Sequence, residues 1–154
     1  AAPYFNFTVT EPMGVVGVIA PDMPALLGLV SLIAPAIVSG NTVVALASEK
    51  FPYPAILLGE MLATSDLPGG VVNLLTGFRK ELVPTFATHT HLRALSAVAT
   101  PEERKTLELG AAESVKRTRI AAAPGGDWFA DSAQSLHAIR DFLEFKTTWH
   151  PIGA

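Results

Sequence analysis

The run Val15-Val16-Gly17-Val18-Ile19-Ala20 carries no polar side chain on either side of the period-two alternation, and most of its residues are β-branched. A strand of that character has to be covered on both faces. Thr42 to Ala47, Val71 to Leu75 and Arg93 to Ala99 also read as strands, and between them lie segments with apolar residues at helical spacing: Ala25 to Val38, Pro54 to Thr64 and Arg79 to Thr88. Strand alternating with helix, joined by right-handed crossovers, predicts an α/β fold: a Rossmann-like open parallel sheet with helices on both faces.

The stretch from Met23 to Ser48 has no charge and is long enough to suggest a membrane span. Pro35 lies inside it and Ser39-Gly40-Asn41-Thr42 interrupts it, so a buried helix followed by a buried strand fits better. Tyr4 to Thr10 alternates Phe5, Phe7 and Val9 with Asn6, Thr8 and Thr10, a half-buried strand ended by Glu11-Pro12. Past the fourth core strand, Val115 to Ile120 reads as a strand whose Lys116, Arg117 and Arg119 form a solvated edge. Ala121-Ala122-Ala123-Pro124-Gly125-Gly126-Asp127 has linker composition. Ala133 to Leu143 is expected to be a helix with Leu136, Ile139, Phe142 and Leu143 on one stripe, and Glu144 to Trp149 a closing strand. The predicted organisation is one domain over 1–154: a core at 11–120, a linker at 121–130, and strand extensions at 1–10 and 144–154.

A net charge of -3 without any run of like charge argues against nucleic acid or an anionic membrane as partner. No Lys or Arg precedes an apolar run in the first twenty residues, so no secretory signal is expected and the cytoplasm is the predicted location. The cysteine count is 0, which excludes disulfides, thiolate nucleophiles, Cys-ligated zinc and iron-sulfur clusters within this chain. His89 and His91 lack an evident third ligand, so no metal site is expected. No Gly-x-Ser-x-Gly elbow marks a hydrolase.

Several blocks resemble the cofactor-binding half of the NAD(P)-dependent aldehyde dehydrogenases. They are Glu11-Pro12-x-Gly14-Val15-Val16-Gly17-Val18-Ile19-Ala20-Pro21, Ala34-Pro35-Ala36 ahead of Gly40-Asn41-Thr42-Val43-Val44, Leu67-Pro68-Gly69-Gly70-Val71-Val72-Asn73, and Leu107-Glu108-Leu109-Gly110. The tail Glu144 to Pro151 resembles that family's C-terminal segment. The catalytic domain that the family places between the last block and the tail is replaced here by a short stretch.

In that family a thiolate attacks the aldehyde, hydride leaves to the nicotinamide, and a glutamate activates the hydrolytic water. The resemblance aligns Glu108 with that glutamate, a vestigial general-base position at a strand end, and implies no catalytic residue otherwise. Where the family places an oxyanion-binding asparagine, Asp22-Met23-Pro24 follows Pro21; Asp22 is expected simply to start the next helix. The family grips the adenosine ribose with a lysine and a glutamate; Glu49 matches the latter, while Leu46 stands for the lysine. Ala20, Pro21, Glu49 and Gly77 are the implied cofactor-binding positions. The family's Gly-Ser-Thr phosphate segment is here Ala97-Val98-Ala99-Thr100-Pro101-Glu102-Glu103, whose Thr100 and Glu103 predict a capping box that sets carboxylates at the positive helix end.

The resulting expectation is no cofactor, or weak NAD or NADP binding, and no enzyme activity from this chain alone. It reads as a non-catalytic aldehyde-dehydrogenase-like module acting in oligomerisation or as accessory to an active aldehyde dehydrogenase. The alternatives are an adenine-dinucleotide-binding module and a fragment of a full enzyme. Phe5, Phe7, Phe145 and Trp149 on the terminal strands predict a homo-oligomer, a dimer.

Overall fold

The computed structural model describes residues 4–152, so residues 1–3 and 153–154 of the two predicted extensions lie outside the described residues. Five parallel strands form the core: β2 (Val15–Ile19), β3 (Thr42–Leu46), β4 (Val72–Leu75), β5 (Leu92–Ala99) and β6 (Arg117–Ala122), in the order β4-β3-β2-β5-β6. The crossover helices are α1 (Ala25–Val38), α2 (Tyr53–Ala63), α3 (Arg79–Thr88) and α4 (Pro101–Glu113). Helices α1 and α2 pack with Val16, Val18 and Val43 on one face; α3 and α4 pack with Ile19, Leu46 and Leu95 on the other. Both faces are therefore covered, which is why β2 needs no polar side chain.

Apart from this sheet, β1 (Tyr4–Pro12) and β7 (Leu143–Pro151) form a two-stranded antiparallel ribbon, from Tyr4 opposite Pro151 to Pro12 opposite Leu143. Glu11 and Pro12 belong to this ribbon and not to the core: Glu11 pairs with Lys146, and proline's missing N–H is harmless at the end of an edge strand. The register also separates aromatics that the sequence alone groups together. Phe5, Phe7 and Val9 share one face, while Tyr4, Phe145 and Trp149 share the other.

The predicted helix over Ala133 to Leu143 does not form. A 3-10 turn (Asp131–Gln134) and a single helical turn, α5 (His137–Arg140), replace it. The stripe fails because its members have opposite fates: Leu136 is 78% exposed whereas Phe142 is 1% exposed. Phe142 is fixed from outside its own segment, by the Asn41 side chain donating to its carbonyl oxygen at 2.9 Å. The predicted linker is likewise part of the fold, since β6 runs through Ala122 beside Ala99 and Trp128 packs against the α1 side of the core. The basic edge is engaged as well. Arg117 pairs with Glu144, Arg119 pairs with Asp141, and Lys116 is buried, which pushes its ammonium below the usual lysine range.

Helix α4 ends in a Schellman arrangement in which the Lys116 amide donates to Ala111 O and the Val115 amide to Ala112 O. The left-handed position is held by Val115 at φ 52°, where a β-branched side chain is strained. Val115 is 90% exposed, so its side chain contributes little packing. Val115→Gly is expected to raise unfolding stability by about 1 kcal/mol, read from urea denaturation; unchanged or lower stability would contradict the strain.

Candidate functional site

In a doubly wound sheet the ligand crevice lies beyond the carboxyl ends of the strands, where the strand order reverses. Here that point falls between β2 and β5. A cleft of about 480 Å³ opens there, lined by Pro21, Asp22, Lys50, Arg79, Thr100 and Glu103 among others.

Each implied cofactor position is near this edge, in a different state of use. Ala20 and Pro21 are buried just past the end of β2, with the Ala20 amide donating to Leu46 O at 3.0 Å. Gly77 lies in the turn between β4 and α3, where an added Cβ would sit 2.8 Å from Leu82 Cδ1. Glu49 faces the start of α3, and its Oε2 accepts the Arg79 amide at 2.7 Å. Helix α3 has no cap from its own N-cap residue, so Glu49 supplies an anion to its positive end. Asp22 does not start α1, whose N-cap is Pro24. Its carboxylate instead accepts Ser48 Oγ at 3.1 Å and pairs with Lys50 at 3.2 Å. Burial raises the Asp22 carboxyl's affinity for its proton, but the Lys50 and Ser48 hydrogen bonds outweigh that and hold it below the usual carboxylate range.

The residue that dominates the crevice is Arg79, which sequence reasoning passes over. Its Nη1 donates to Ala20 O and its Nη2 to Val98 O, both at 2.8 Å. Nε and Nη2 also grip Glu103 Oε1 at 2.8 Å and Oε2 at 2.9 Å, a bidentate pair. The two side chains are only 14% and 20% exposed. The signal in the sequence is the position itself: a cation in the first turn of a helix is disfavoured by the macrodipole unless something else holds it.

Glu103 is committed twice over. The predicted capping box is present, with Glu103 Oε2 accepting the Thr100 amide at 2.9 Å and Thr100 Oγ1 accepting the Glu103 amide at 3.3 Å. The Arg79 guanidinium holds the Glu103 carboxyl below the usual carboxylate range, against an opposing push from burial.

Glu108 is not at a strand end. It lies within α4, half-exposed, and pairs with Arg104 one turn earlier at 2.7 Å. Ala122, which ends β6, and Ala123, which follows it, carry no carboxylate. The structure thus gives Glu108 the role of a helix-surface ion pair. His89 and His91 rings are 5.7 Å apart, and among the described residues no cluster of three potential metal ligands occurs. No helix among the described residues is long and apolar enough to cross a membrane.

A dinucleotide fits these residues poorly. Its pyrophosphate offers only acceptors and negative charge, whereas the crevice presents Glu102 and Glu103 in the first turn of α4 and an arginine with four of its five N–H donors already engaged.

Residues 2–126 match the model of the aldehyde dehydrogenase family. Retinal dehydrogenase 2 of Taeniopygia guttata is 36% identical over 118 residues, covering 76% of this chain and 23% of that protein. 2-aminomuconic 6-semialdehyde dehydrogenase of Pseudomonas sp. is 38% identical over 112 residues, covering 72% of this chain and 23% of that protein. Among solved structures, aldehyde dehydrogenase C from Pseudomonas syringae, complexed with NAD+ and octanal, superposes with a TM-score of 0.72 at 31% identity, covering 76% of this chain and 24% of that one. The chain spans about a quarter of the length of such relatives. With a parallel sheet of the same fold and a match over most of its length, this chain belongs to the aldehyde dehydrogenase family.

Proposed function

We propose that the chain is a catalytically silent pairing module, which contributes the family's cofactor-domain scaffold to a homodimer or to an assembly with an active relative. The observation that carries this reading is the ribbon. A two-stranded ribbon is marginal by itself in water, and this one displays apolar rings on both faces: Phe5 and Phe7 5.6 Å apart on one, Tyr4 and Trp149 6.4 Å apart on the other. These four are 41–70% exposed, so each face of the ribbon presents apolar rings of the kind that another chain covers. Catalytic silence rests on the missing sulfur: without a thiolate the family's covalent step has no nucleophile in this chain.

Size-exclusion with light scattering is expected to give a dimer at micromolar concentration and a monomer for Phe7→Ser combined with Trp149→Ser. Both side chains are exposed in the single chain, so the variant keeps its core. A wild-type monomer would remove the homodimer, leaving the assembly with an active relative to be tested by mixing the two. Aldehyde-dependent NADH formation by the purified 154-residue chain would overturn the silence.

A second reading is that the chain is one portion of a full aldehyde dehydrogenase, favoured by its covering 23% of its relatives' length. The ribbon would then be covered by the remainder of the same polypeptide.

A further inference from the structure

In the crevice between β2 and β5 the protein meets the polar groups of the wall with its own charges. Arg79 reaches it from the first position of α3, and Glu103 from the first turn of α4, so two helices on one face of the sheet deliver opposite charges to the same point. We infer that Arg79 and Glu103, on the wall of the strand-end crevice, satisfy one another and the strand-end carbonyls, and that this internal guanidinium–carboxylate pair disfavours a dinucleotide there.

The guanidinium donates to two carbonyl oxygens at the strand ends, Ala20 O and Val98 O, and to both oxygens of Glu103. A pyrophosphate entering in its place would bring acceptors only. It would leave both carbonyls without their donor and set its own charge against Glu103. If Arg79 swung out to meet the phosphate, the same carbonyls and carboxylate would again lose their partner. The helix end that would otherwise receive the anion offers little, because Pro101 has no N–H and the Thr100 and Glu103 amides are taken by the capping box. Asp22, which also lines the cleft, is paired with Lys50, and nearby Glu49 accepts the Arg79 amide. A group able to replace Arg79 must be a cation rich in N–H donors, the reverse of the phosphate ligand a helix N-terminus ordinarily takes.

The test is titration calorimetry with NAD+, NADP+ and AMP on the full chain, wild type against Arg79→Ala combined with Glu103→Ser. The wild type is expected to show no saturable binding up to about 1 mM, and the double variant to bind NAD+ or AMP about tenfold more tightly than that limit. Glu103→Gln is the second variant. It keeps a capping-box acceptor while removing the charge, so its fold is retained, and a gain of about threefold or more is expected. Saturable wild-type binding below about 0.1 mM would overturn the inference. So would a Glu103→Gln protein, or a folded double variant, that binds no better than wild type. None of these readouts depends on oligomeric state, so the inference and the pairing role fail separately.

Discussion

Replacing Asn41 by alanine is expected to lower unfolding stability by about 4 kcal/mol, because its amide joins three parts of the fold in a dry setting. The residue is 1% exposed. Its Oδ1 accepts the Gly14 amide at 2.8 Å, just ahead of β2. Its Nδ2 donates to Ala36 O in α1 at 3.1 Å, to Ser39 Oγ at 2.8 Å and to Phe142 O at 2.9 Å. Truncation leaves the Phe142 acceptor buried without this partner and takes the partner of the Gly14 amide at a part-buried site, which is worse than losing ordinary exposed hydrogen bonds. Asn41→Asp keeps the acceptor for Gly14 but turns the donor end into a carboxylate oxygen against two carbonyls, so it should be no milder. Urea denaturation reads the loss, and amide exchange should show β7 near Leu143 opening ahead of β2 and β5. A loss below about 1 kcal/mol for Asn41→Ala would refute this role.

Gly110 gives the second large effect. It lies in α4 where that helix crosses α3, and an added Cβ would be 2.7 Å from Ala87 Cβ, 2.9 Å from Ala87 C and 3.0 Å from Ala87 O. Two of those atoms are backbone, so the helices themselves would have to separate. Helix propensity alone predicts that Gly110→Ala stabilises by about 1 kcal/mol. The contact predicts the opposite, and in a close-packed crossing the cost of overpacking outweighs the gain in propensity. Gly110→Ala should therefore lower stability by about 1 kcal/mol and Gly110→Val by about 3 kcal/mol, measured by thermal or urea unfolding. An alanine variant more stable than the wild type would show that the two helices can move apart freely.

These two residues also show what can be read from the chain alone. Asn41 and Gly110 both sit in blocks that point to the family, yet the blocks give no reason for either residue. Buried parallel strands are legible because a strand covered on both faces has no room for polar side chains, as in Val15 to Ile19. The capping box at Thr100 is legible because it is made within four consecutive residues. Glu108 is misplaced by the sequence because Leu-Glu-Leu-Gly suits a helix as well as a strand end, and a short block carries no register. The helix expected at Ala133 to Leu143 fails because Phe142 packs into the α1 side of the core and its carbonyl is held by Asn41, 101 residues away, and not by a stripe of its own. Arg79 escapes notice for the same reason: its partners Ala20 and Val98 are 59 and 19 residues distant, and only the closed sheet brings them together.

The ribbon places Thr8 Oγ1 2.9 Å from Thr147 Oγ1 across 139 residues of chain. Such a contact closes a very long loop, and the entropy of that closure is recovered only after the intervening sheet has condensed. The terminal strands are thus the last to zip and the first to part as the molecule breathes, so the ribbon can open without unfolding the body it is attached to.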